Sequence, residues 1–101
     1  MEKVIKVIDL LNSISADDDE KGNKVFNSIV NSANEKYDNI ILNFEGISLI
    51  NTAFLNNAMG KICGLEEFES GKVNVKVANF PKEAIELLRE VLKTASEKYS
   101  K

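Results

Sequence analysis

The chain has 101 residues, 44% hydrophobic and 29% charged, with a net charge of −3 and no histidine. That length and apolar content suffice to bury a core without staples and argue against disorder. Scattered lysines, Arg89 as the single arginine and the acidic balance argue against a phosphate-tracking face, so nucleic acid is not an expected partner. The missing histidine removes the commonest general base and transition-metal ligand.

The first segment, Val4, Ile5, Val7, Ile8, Leu10 and Leu11, is rich in β-branched residues and is read as a strand over 3–11, although Val4, Val7, Ile8 and Leu11 also fit a helical face. It carries Glu2, Lys3, Lys6 and Asp9, which does not read as a secretory leader, and no run approaches membrane-spanning length. An acidic run, Asp17-Asp18-Asp19-Glu20, then suits the positive end of a helix dipole. Val25, Phe26, Ile29, Val30 and Ala33 predict that helix over 20–35. Ile40-Ile41-Leu42 predicts a second strand over 38–44, apolar on both sides and so expected to be covered on both faces.

Phe54, Leu55, Ala58, Met59, Ile62, Cys63 and Leu65 predict a helix over 52–69, with Gly60 and Gly64 inside it permitting close approach to a neighbour. After Gly71, the alternation of Val73, Val75 and Val77 predicts a strand over 72–78. Pro81 suits a first helical turn, and Ala84, Ile85, Leu87, Leu88, Val91, Leu92 and Ala95 predict the last helix over 81–97. The β-α-β-α-β-α order predicts an α/β class: residues 1–101 as a single domain with a mostly parallel sheet of three to four strands. The expected shared core is Ile41, Phe54, Ala58, Ile62, Val75, Leu88 and Val91.

The candidate chemistry has plain structural alternatives. Asp17 to Gly22 superficially resembles a calcium loop, but Lys21 falls at the fifth position and Ser28 at the twelfth, where a bidentate glutamate is needed. Cys63 is the lone cysteine, so no intramolecular disulfide forms; a buried thiol in a reducing, cytoplasmic setting is expected. Glu66, Glu67 and Glu69 read as a surface cluster. There is no phosphate loop or dinucleotide fingerprint. No catalytic residue, metal ligand or cofactor is expected.

One segment stands apart. Ile41 to Leu55 runs from the central strand through a loop onto a helix start, where free backbone N–H groups can receive an anion or a phosphorylated side chain. The alternative is that Asn51 or Thr52 caps the helix. Asn43-Phe44-Glu45-Gly46-Ile47 and Ile50-Asn51-Thr52-Ala53-Phe54 resemble the corresponding strand end and helix start of STAS-like domains, a family related to anti-sigma factor antagonists. Gly22-Asn23-Lys24-Val25-Phe26 resembles the family's first-helix pattern, and the resemblance extends from the first strand to the third.

The resemblance implies a STAS-like fold and reversible docking to a partner kinase, ATPase or anti-sigma-type factor. It also implies a switch by phosphorylation of a Ser or Thr at the helix start, where a phosphate adds about −1.5 to −2 charge. Ala53 stands at the acceptor position and has no hydroxyl; Asn43 and Asn51 stand where the antagonists carry aspartates. Thr52 is the only hydroxyl between the loop and Phe54, which makes it the expected acceptor. The expected function is a non-enzymatic interaction module docking through Ser48, Asn51, Thr52, Ala53 and Phe54. The alternative is a self-associating structural or accessory protein.

Overall fold

The computed structural model describes residues 1–99. In chain order the elements are β1 (Glu2–Lys6), α1 (Val7–Leu11), β2 (Ser15–Ala16), α2 (Asp19–Asn34), β3 (Asn39–Asn43), β4 (Leu49–Ile50), α3 (Thr52–Ala58), α4 (Glu66–Glu69), β5 (Asn74–Ala78) and α5 (Ile85–Tyr99). Short 3-10 turns at Gly60–Gly64 and Lys82–Ala84 precede α4 and α5. The class is α/β, as expected. The main sheet is parallel in the order β1-β3-β5, and a second, two-stranded parallel sheet joins β2 to β4.

The first strand is shorter than its β-branched content predicts. Strand geometry stops at Lys6, and Val7–Leu11 is helical. Burial decides this. Val7 and Leu11, one helical turn apart, are both buried while Asp9 between them is exposed, a pattern a strand would not give. Asn12 then ends α1 in the left-handed conformation (φ 52°), where asparagine is tolerated.

The helix expected over 52–69 is also corrected. It breaks after Ala58 into the 3-10 turn and α4. Two glycines four residues apart, Gly60 and Gly64, remove the propensity that would carry a single helix through. Gly60 is not the close-approach glycine either, since a Cβ there would sit an ordinary 3.7 Å from its neighbours. That role belongs to Gly22 in α2, where a Cβ would lie 2.6 Å from the Phe54 carbonyl oxygen and 2.8 Å from Asn57 Cβ.

The strand order follows the chain order. Right-handed crossovers that always step in the same direction place every connection on one face of the sheet. The burial pattern agrees. Along the register Lys3–Ile40–Val75 and Ile5–Leu42–Val77, Ile5, Ile40 and Leu42 are buried, and Val75 and Val77 pack against the same core. Along Glu2–Asn39–Asn74, Val4–Ile41–Lys76 and Lys6–Asn43–Ala78, no residue is buried. The central strand is therefore covered on one face, not two, and Ile41 lies outside the core in which it was expected. Phe54, Ala58, Ile62, Leu88 and Val91 join the core as expected, with Val75 partly buried against it.

Candidate functional site

The turn from β3 to α3 is built by short-range bonds. Asn43 Oδ1 accepts from the Glu45 N–H at 3.0 Å and from Asn79 Nδ2 at 2.9 Å, tying the ends of β3 and β5 together. Gly46 turns the chain with φ +87°, a conformation natural to glycine. β4 is then held against β2: the Ile14 carbonyl accepts from the Ser48 N–H at 2.8 Å, and the Ala16 carbonyl accepts from the Asn51 N–H at 3.3 Å.

Asn51 is the hinge of the arrangement. Its Oδ1 accepts from the Phe54 N–H at 3.0 Å, capping α3, and its Nδ2 donates to the Asp17 carbonyl at 2.7 Å. The amide thus satisfies a helix-start donor and locks that start to the chain leading into α2. An aspartate could make the first bond but has no donor for the second. The cap is Asn51 and not Thr52. Thr52 is the first helical residue; its side chain is exposed and makes no hydrogen bond to the described residues. It lines a shallow hollow of about 160 Å³ with Asn56, Leu87, Glu90, Val91 and Thr94.

Ser48 and Ala53 are exposed. Phe54 is not: it is fully buried, edge-on to Phe44 with ring centroids 6.4 Å apart. Its place on the expected docking surface is therefore corrected; the ring holds the helix start down onto the core. Two residues that the motif did not single out take the exposed apolar role. Ile14 is 58% exposed and Leu49 is 52% exposed, on backbones hydrogen-bonded to each other. The signal for Ile14 was an isolated aliphatic residue in the polar stretch Asn12 to Asp19.

The acidic run beside this surface has structural work. Asp18 caps α2 by accepting from the Lys21 N–H at 2.8 Å, and Asp17 pairs with the Lys21 ammonium at 3.0 Å. Asp19 accepts from Asn57 Nδ2 at 3.0 Å, joining the first turn of α2 to the last turn of α3. Cys63 lies apart in the 3-10 turn, half-buried, and burial pushes its thiol above the ordinary range. Glu66 and Glu67 are exposed.

Among the described residues no helix is long and apolar enough to cross a membrane. No curated protein and no solved structure matches the chain. Residues 21–82, from the first turn of α2 to the turn before α5, match the family described as a STAS-like domain of unknown function, so the capped turn and both of its flanking strands fall inside the match and the chain belongs to that family.

Proposed function

We propose that this protein is a non-enzymatic interaction module that docks a protein partner through the β2–β4 surface and the start of α3. The observation that carries the reading is the exposure of two aliphatic residues, Ile14 and Leu49, on adjoining hydrogen-bonded backbones beside a helix start fixed by Asn51. Exposed apolar side chains on a rigid turn favour association, because their burial releases water without first ordering a loop. Ser48, Thr52 and Ala53 extend the surface, and Phe54 supports it from below.

The resemblance to anti-sigma factor antagonists supplies the partner class: a kinase, ATPase or anti-sigma-type factor in the cytoplasm, where a lone thiol stays reduced. Thr52 is the position for a charge switch. Its hydroxyl is not spent on the cap, and Glu90 lines the same hollow, so a phosphate there would add like charge beside a carboxylate.

A pull-down from the native host tests the reading. Recovery of a kinase-like or anti-sigma-type protein supports it; recovery of further copies of this chain alone contradicts it. For the switch, Thr52→Glu is expected to weaken partner binding while Thr52→Val binds like wild type, with both folding normally. Equal behaviour of the two variants would remove the switch.

A further inference from the structure

The open face of the main sheet ends in two edge strands, β1 and β5, each paired only to β3. An edge strand presents unpaired backbone N–H and C=O groups to any chain that can lie beside it. Three strands is also fewer than most sheets contain. The two edges differ in what they offer a second copy of this chain.

Lay β1 antiparallel to its own copy with Val4 at the centre. Glu2 then falls opposite Lys6, Val4 opposite Val4, and Lys3 opposite Ile5. Glu2, Val4 and Lys6 all stand exposed on the open face, with Val4 50% exposed. The result is an aliphatic pair flanked by two Glu–Lys pairs, with no like charges opposed. The same operation on β5 sets Lys76 against Lys76 at the centre, and like charges directly opposite are destabilising. No proline or bulge interrupts β1, whose five residues pair continuously with β3.

We propose that β1 is a self-association edge: two copies join β1 to β1, antiparallel across a two-fold axis, and extend the three-stranded sheet to six strands. Such an isologous contact closes on itself and gives a dimer rather than a filament. It uses neither Ile14, Leu49 nor Thr52, so it stands apart from the partner-docking surface and leaves that surface available in the dimer.

The test is sedimentation equilibrium of the whole chain over a range of concentrations, with circular dichroism to confirm folding. Wild type is expected to dimerise reversibly. Glu2→Lys alone opposes lysine to lysine at both ends of the contact, and Lys6→Glu alone opposes glutamate to glutamate there; each is expected to raise the dimer Kd at least about tenfold. An equimolar mixture of the two variants sets two lysines of one chain against two glutamates of the other. Both cross-strand pairs are then of opposite charge, and the mixture is expected to form a mixed dimer about as tight as wild type. A wild type that stays monomeric to about 1 mM would overturn the proposal, since that Kd marks negligible affinity. So would a dimer indifferent to both substitutions, or a mixture that associates no better than its components.

Discussion

Phe54 and Leu49 flank the same capped turn and have opposite fates. Phe54 lies beneath α3, fully buried and edge-on to Phe44, which in turn meets Phe80 with ring centroids 4.9 Å apart. Leu49, on β4, stands half in water, its backbone N–H donating to the Ile14 carbonyl. Asn51 sits between them, with one amide atom on α3 and the other on the chain before α2. The contrast separates two uses of apolar surface. The aromatic layer below the turn stabilises the fold, whereas half-exposed Leu49 and Ile14 contribute little to it.

That contrast can be broken or sharpened by substitution. Phe54→Ala is expected to have the largest effect on stability, about 3–5 kcal/mol by urea unfolding, because it opens a cavity beneath the turn; an unchanged midpoint would place Phe54 in the wrong layer. Gly22→Ala comes next, at about 1–3 kcal/mol, since its Cβ would press on the backbone oxygen of Phe54 and α2 and α3 must separate. Asn51→Ala should cost about 0.5–2 kcal/mol for the lost cap, while Asn51→Asp should keep the cap but set a carboxylate oxygen against the Asp17 carbonyl where the amide now donates. Leu49→Ser is expected to stay within about 0.5 kcal/mol of wild type, as substitutions at exposed positions usually do. The smallest effect concerns Cys63. With its thiol pushed up by burial, the thiolate fraction near neutral pH is below that of a free cysteine and grows as pH rises. Alkylation by iodoacetamide in the folded protein should therefore be slower than in urea, and equal rates would show the thiol to be open to solvent.

Much of this arrangement was legible in the residues because it rests on long periodic signals. The spacing of Val25, Ile29 and their neighbours gave α2 nearly to its ends, and the run at Ile40 to Leu42 gave β3. What escaped has identifiable causes. β2 and β4 are two residues long, below the length at which any period can be read, yet they bring the backbones of Ile14 and Leu49 together. The open face of the sheet depends on strand order, which is a long-range property, so Ile41 looked as central as Ile40. In Val4 to Leu11, β-branched residues and helical spacing competed, and burial of Val7 and Leu11 settled the second half as helix. At the candidate site, Ser48 and Ala53 are exposed. The cap and the buried ring needed the geometry: whether Asn51 or Thr52 turns its side chain back onto the helix is fixed by the Asp17 carbonyl, thirty-four residues away in sequence.

The most direct measurement compares partner capture from the native host by the wild-type chain and by the double variant Ile14→Ser/Leu49→Ser, with urea midpoints for both. The proposed role of the exposed pair predicts that the variant unfolds at nearly the wild-type midpoint and retains the partner at least about tenfold less well, since burying each aliphatic side chain is worth about 1.5–3 kcal/mol at a fully closed contact. Undiminished capture by a variant that remains folded would contradict it and move the docking surface away from β2 and β4.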